Sequence, residues 1–228
     1  MYKILCLIML VVSFASCTMR DTLIKSGCNY DLGEYYYGEV KKFKDKKVVE
    51  NAIIMVGNSI TAGGKWKEYF PTENIENFGI SGDDSYGVLN RLDVVIAKKP
   101  GKIFLLIGVN DIGKDCSDGQ VIDNYNLILW KLRQKLPNTE VYVQSVLPTN
   151  GKVKNNEDIK RLNVEIKRIT TLTKNTYIDM YAKFLGADGN IKPEYFKDGL
   201  HLSESGFIVW VRELSIFLFQ TTSYRAAQ

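Results

Sequence analysis

The stretch Ala52-Ile53-Ile54-Met55-Val56-Gly57-Asn58-Ser59-Ile60-Thr61 decides the fold. Its first five residues are apolar without interruption, which fits a strand covered on both faces, as in a parallel sheet, and the run stops at a glycine-led turn. The pattern recurs. A weaker run stands at Ile75-Glu76-Asn77-Phe78, followed by Ile103-Phe104-Leu105-Leu106-Ile107, Val141-Tyr142-Val143-Gln144-Ser145-Val146 and Thr176-Tyr177-Ile178-Asp179-Met180. Amphipathic stretches between them predict helices at about 64–70, 85–98, 119–136, 156–174 and 204–219. In the second of these Leu89, Leu92, Val95 and Ile96 form the apolar stripe, and Asp84 or Ser85 can cap it. Strands and helices in alternation give a doubly wound α/β sandwich of about five parallel strands with helices on both faces, without a repeat or a second-domain boundary. Ligands of such folds bind outside the carboxyl ends of the strands, so a site belongs in the loops that follow them.

Composition narrows the chemistry. With 228 residues, 45% hydrophobic and 25% charged, and 18 Gly and 5 Pro, the chain is a folded domain and not a disordered, collagen-like or coiled-coil one. Thirty Lys and Arg against 26 Asp and Glu leave a net charge of +4, with no basic block dense enough to grip phosphates. Nucleic acid is therefore not an expected partner. There is one histidine, His201, so a multi-histidine zinc site is excluded and any imidazole chemistry must use that residue. No cluster of Cys, His and acids has metal-ligand spacing, and no metal or organic cofactor is expected.

The first 16 residues hold one cation, Lys3, and then an apolar run from Ile4 to Ala15 that is too short to span a bilayer but fits a secretory leader. Ala15-Ser16-Cys17 resembles a bacterial lipobox, in which the new terminal Cys17 is acylated, although Phe14 stands where an aliphatic residue is more usual. The expectation is an exported cell-envelope lipoprotein: leader 1–16, tether and N-terminal arm 17–48, and one domain at 49–222, with the membrane as a partner through the lipid on Cys17. Cys28 and Cys116 would remain in the mature chain, and sequence separation leaves their pairing open. The tyrosines Tyr35, Tyr36 and Tyr37 in the arm read as packing residues ahead of a ligand platform.

Four loops carry the chemistry. After the first strand, Ser59 follows Gly57 by two residues and stands where a nucleophile belongs. A glycine two residues beyond the serine is missing, so the α/β-hydrolase elbow is not matched. The second strand is followed by Gly79-Ile80-Ser81-Gly82-Asp83, whose glycines can turn a backbone N–H toward a substrate oxygen. The third ends in Gly108-Val109-Asn110-Asp111, where Asn110 offers an amide donor. Near the end, Asp198-Gly199-Leu200-His201 places a carboxylate three residues before the imidazole, close enough to fix its tautomer and leave the other nitrogen for a serine hydroxyl.

Together, in order and spacing, Gly-Asn-Ser-Ile-Thr, Asn-x-Gly-Ile-x-Gly-Asp, Gly-Val-Asn-Asp and Asp-x-x-His-Leu-Ser resemble the SGNH hydrolases, also called the GDSL esterase/lipase family. The stretch Asn77 to Asp111 looks most like the branch of platelet-activating-factor acetylhydrolase-like proteins and carbohydrate O-acetylesterases. The resemblance implies a three-layer, flavodoxin-like fold, with Ser59 as nucleophile, His201 as base and Asp198 as the acid that orients it. It implies an oxyanion hole from the Ser59 and Gly82 backbone N–H groups and the Asn110 side chain. Asn58 departs from the family's Asp, keeping an acceptor oxygen but losing the charge. Asp83, Asp84 and Asp111 read as loop and cap residues. The implied activity is ester hydrolysis through an acyl-enzyme, most simply removal of O-acetyl groups from carbohydrate. The alternatives are a lysophospholipase or short-chain lipid esterase, an acyltransferase, and a non-catalytic glycan-binding protein. Activity on small esters is expected to fall on the acidic side as His201 takes up a proton, and a flat profile through pH 5 to 8 would count against that role.

Overall fold

The structure, a computed structural model, describes residues 28, 30, 32–150 and 155–219. The leader and Cys17 lie outside the described residues. Five strands form one sheet: β1 (Ile53–Gly57), β2 (Ile75–Gly79), β3 (Lys102–Leu106), β4 (Glu140–Gln144) and β5 (Thr176–Ile178). Their order is β2-β1-β3-β4-β5 and every pair is parallel. All five positions of β1 are buried, as a central strand with helices above and below requires. β2, at the sheet edge, buries only Ile75 and Phe78, which is why its sequence reads weakly.

The helices are α1 (Glu34–Asp45), α2 (Ser59–Ala62), α3 (Trp66–Tyr69), α4 (Ser85–Asn90), α5 (Leu92–Ile96), α6 (Val109–Gly113), α7 (Asp118–Lys135), α8 (Asn156–Leu172) and α9 (Glu204–Leu218). α7, α8 and α9 agree with the sequence expectation to within two residues. The single helix expected at 85–98 is two. Arg91 leaves helical geometry at φ −97° and ψ 7°, and its side chain turns inward instead of to solvent.

On one face α3 meets α9 through Trp66, which crosses the Trp210 ring edge-on at 4.8 Å; both indoles are buried. Burying side chains of this size is worth about 1.5–3 kcal/mol each, and so fixes α9 and the loop before it against the helix that follows Ser59. The arm holds a helix, α1, that the sequence does not announce. It buries Tyr36 and Phe43: Phe43 stacks on Phe78 at 4.5 Å, and the Tyr36 hydroxyl donates to the Gly87 carbonyl at 2.6 Å. Ahead of it, Cys28 is disulfide-bonded to Cys116, 88 residues away in sequence with Cα atoms 4.9 Å apart. A cross-link closing a loop of that length contributes on the order of 4 kcal/mol in the chain-entropy view. It also fastens the arm to the loop just past α6.

The order reverses between β1 and β3: the chain runs from β1 to β2 on one side of the sheet and from β3 to β4 on the other. That is the switch point at which a crevice opens at the carboxyl ends. Ser59 follows one of these strands and Asn110 the other.

Candidate active site

β1 ends at Gly57, where an added Cβ would run into the Thr61 side chain and the Leu106 carbonyl. Asn58 then caps α2, its Oδ1 accepting from the Ile60 N–H at 3.0 Å. The amide therefore performs the local task a carboxylate would, and the departure from the family pattern is one of charge. Ser59 is the first helical residue and is half-buried. From β2, the Asn77 amide donates to the carbonyls of Thr61 at 3.1 Å and Ala62 at 3.0 Å, bracing the short helix from below.

The last loop brings the imidazole across the crevice. Gly199, at φ +83°, lets the chain reverse, and the Lys197 N–H closes the loop onto the His201 carbonyl at 2.8 Å. The Ser59 hydroxyl lies 2.9 Å from His201 Nε2, and His201 Nδ1 lies 2.7 Å from Asp198 Oδ2. The other carboxylate oxygen accepts the backbone N–H groups of His201 at 2.7 Å and Leu200 at 3.0 Å. Hydrogen bonding from the His201 side chain holds the Asp198 carboxyl down at about 2. A carboxylate only accepts, so Nδ1 carries the proton and the lone pair of Nε2 faces the serine hydroxyl. That is the tautomer a general base needs.

The other candidate donors come from the loops after β2 and β3. The Ile80 N–H reaches the Gly57 carbonyl at 3.0 Å, which sets the second loop against the end of β1. Gly82 sits in that loop at φ +79°, a left-handed conformation, and is exposed. Asn110 is half-buried on α6, and its Nδ2 donates to the Asp83 carbonyl at 2.8 Å. An amide nitrogen carries two hydrogens; one holds the loop and the second remains for a substrate oxygen.

Sequence reading missed Arg91. It is buried, its Nε meets Asp83 Oδ2 at 2.9 Å, and its Nη2 donates to the Gly57 carbonyl at 3.2 Å. One guanidinium thus ties the end of the nucleophile strand to the loop of Gly82. Burial pushes Asp83 up to about 6 against the pull of Arg91. The other two acids are also structural in their contacts. Asp84 accepts the Gly87 N–H at 2.8 Å as the cap of α4 and pairs with Lys114 at 2.5 Å. Asp111 receives the Ser85 hydroxyl at 2.5 Å and its N–H at 3.1 Å.

Burial also raises Asp111, to about 7. The folded protein therefore keeps a proton that the unfolded chain has released, and each upward step in pH costs folding free energy over that interval. The contribution is complete below the ordinary carboxylate range, about pH 4, and is lost by about 7. Denaturation midpoints taken from pH 4 to 8 are expected to fall more steeply for the wild type than for Asp111→Asn; parallel curves would reject the assignment.

Among the described residues, no group of three or more His, Cys, Asp or Glu is placed to hold a metal ion, and no helix is long and apolar enough to cross a membrane. The arrangement offers acyl transfer: a hydroxyl aligned on a base and a base oriented by an ionised acid, with the loops of Gly82 and Asn110 following the neighbouring strands β2 and β3.

Comparison with known proteins bears on the family and the fold. Residues 55–207 match the model of the GDSL-like Lipase/Acylhydrolase family. The alpha1 subunit of platelet-activating factor acetylhydrolase IB from Bos taurus is 26% identical over 185 residues, covering 77% of this chain and 78% of that protein. A GDSL-like lipase from Bacteroides thetaiotaomicron superposes with a TM-score of 0.70 at 22% identity, over 82% of this chain and 98% of its own. An acetylxylan esterase from Geobacillus stearothermophilus superposes with a TM-score of 0.63 at 16% identity, over 77% and 98%. At those identities the two superpositions speak for the fold.

Proposed function

The chain belongs to the GDSL-like lipase/acylhydrolase family, esterases that act on carboxylic ester bonds, and we propose that it removes O-acetyl groups from carbohydrate with Ser59 as nucleophile. The observation that carries the catalytic assignment is the continuous line from Ser59 Oγ through His201 to Asp198, at 2.9 and 2.7 Å. His201 takes the hydroxyl proton as Ser59 Oγ attacks the ester carbonyl. Negative charge then grows on the carbonyl oxygen, where the Asn110 amide and the N–H groups of Gly82 and Ser59 stabilise it. The alcohol departs with the proton returned by His201. Water, activated by the same imidazole, releases the acyl group and restores Ser59.

Two features support acetate on a polar alcohol over a long acyl chain. Of the aromatics that follow Ser59, Trp66 and Phe70 are buried in the core, the Trp66 ring nitrogen is bonded to the Thr61 carbonyl, and Tyr69 between them is partly buried against Trp66 and Phe207. They are not available to line a broad apolar acyl tunnel. The rim of the opening is instead polar and exposed at Ser81, Gly82 and Asp198. An acetylxylan esterase among the structures of the same fold is in keeping with this reading.

The leader and Cys17 make the protein, in this proposal, an exported lipoprotein of the cell envelope. The Cys28–Cys116 disulfide supports export, because such bonds persist in oxidising compartments.

The test is a series of para-nitrophenyl esters from acetate to palmitate, run beside acetylated xylo-oligosaccharides. Acetate should be the preferred acyl group, with at least about a tenfold loss in kcat/KM by octanoate, since each tenfold is only 1.4 kcal/mol of lost fit. Free acetate should appear from the oligosaccharides. Rates that climb with chain length would favour the lipid esterase and overturn the proposal.

A further inference from the structure

A cavity of about 310 Å³ lies between the N-terminal arm and the loop of Gly82, walled by Leu32, Tyr35, Ser81, Gly82, Asp84 and Lys114 among others. We propose that this cavity is a subsite for a neutral sugar unit of the ester substrate, with Tyr35 as the ring on which that sugar stacks. The inference rests on the carbohydrate reading above and adds to it the place where the glycan is held.

The first supporting feature is position. Ser81 and Gly82 are exposed and line this wall, and Gly82 is the residue assigned above to the oxyanion hole. A glycan whose acetyl group reaches Ser59 has its neighbouring unit beside the loop of Gly82.

The second is rigidity. Behind the cavity the arm is held at several points. Cys28 is bonded to Cys116, Tyr30 stacks on Tyr86 at 4.6 Å, and the Tyr30 hydroxyl accepts from the Asn124 amide at 3.1 Å. Tyr36 is buried with its hydroxyl on the Gly87 carbonyl at 2.6 Å. A wall fixed in this way binds without first ordering itself, so little of the contact energy is lost.

The third is the division of labour among three consecutive tyrosines. Tyr36 is 6% exposed and packs; Tyr35 is 59% exposed and faces the cavity; Tyr37 is 58% exposed and does not line it. An aromatic ring held in water beside a site presents an apolar face to sugar C–H groups and a hydroxyl to sugar oxygens. Packing, the role the sequence assigns to all three, holds for the buried Tyr36 and for Tyr37, whose ring meets Tyr36 edge-on at 5.3 Å.

The fourth is charge. Lys114 is matched by Asp84 at 2.5 Å, and the adjoining Asp83 by Arg91 at 2.9 Å. Lys114 has three N–H donors and spends one on Asp84, which leaves donors for sugar hydroxyls without an unbalanced cation. A paired set of this kind fits a neutral pyranose better than a phosphate headgroup.

The experiment uses the whole protein and two substrates, acetylated xylo-oligosaccharides and para-nitrophenyl acetate, with the unesterified oligosaccharide as inhibitor. In Tyr35→Ala the ratio of kcat/KM on the oligosaccharide to that on para-nitrophenyl acetate should fall about tenfold, with the loss in KM, and the inhibition constant of the unesterified sugar should rise by a similar factor. Tyr35→Phe should recover most of both, and Tyr37→Ala should behave as wild type. If the wild type deacetylates the sugar and Tyr35→Ala keeps both the ratio and the inhibition constant, the subsite is wrong and the proposed function stands. If the wild type cleaves para-nitrophenyl acetate but releases no acetate from the oligosaccharide, the carbohydrate reading fails and the subsite with it.

Discussion

Replacing Ser59 by alanine should lower kcat on para-nitrophenyl acetate by a factor on the order of 10⁶, the scale found when the serine or the histidine of a serine hydrolase triad is removed. The structure says why the loss should be so complete. His201 Nε2 has its hydrogen-bonded hydroxyl at 2.9 Å and no other nucleophile stands in the line from Asp198. Without Ser59 Oγ the imidazole can only activate water, and the donors at Gly82 and Asn110 can only polarise a carbonyl that nothing positioned attacks. His201→Ala should cost about as much, and the double variant little more than either alone, because groups acting on one proton transfer are not additive. An active-site titrant should show one burst equivalent per wild-type chain and none from Ser59→Ala. Equal rates in wild type and variant would end the assignment of this serine. The pH profile adds a second check. Asp198 stays ionised down to about 2, so a fall in activity on the acidic side of neutrality is not loss of the orienting acid.

The central strands and the loops after them are legible in the sequence because both obey short-range rules. β1 is buried throughout and β3 is apolar and buried after Lys102, since both faces are covered, and a site at the switch point must use the residues that immediately follow. A single histidine left no choice of base. What was not legible depends on partners far away along the chain. α1 has only Tyr36 and Phe43 to bury, seven residues apart among lysines, so its apolar stripe is too thin to see until Phe78 and Gly87 are placed beside it. Arg91 looks like one more polar residue on a helix; its meaning lies in Asp83 and the Gly57 carbonyl, the latter 34 positions upstream. The disulfide spans 88 residues and no local pattern encodes it. The same limit hid the cavity by Tyr35, whose walls come from three separate segments.

Asn110 gives the second large effect, and it is the one that separates chemistry from scaffolding. Asn110→Ala should reduce kcat by about 10² to 10³ with KM changed little, as expected for a donor that strengthens only when charge develops on the substrate oxygen. The complication is the bond from Nδ2 to the Asp83 carbonyl at 2.8 Å, which the alanine also removes. If that bond were all Asn110 contributed, the variant would loosen the loop of Gly82 and weaken the binding of neutral and charged ligands alike. Yet the loop has other ties, since Arg91 grips Asp83 at 2.9 Å and the Ile80 N–H holds the Gly57 carbonyl at 3.0 Å. The ground-state site should therefore survive. Inactivation by a phosphonate ester, which places an anionic oxygen where the tetrahedral intermediate has one, should slow by the same factor as kcat, while inhibition by an uncharged product alcohol stays close to wild type. A parallel loss in both would make Asn110 a brace for the loop and leave the oxyanion to the backbone donors alone.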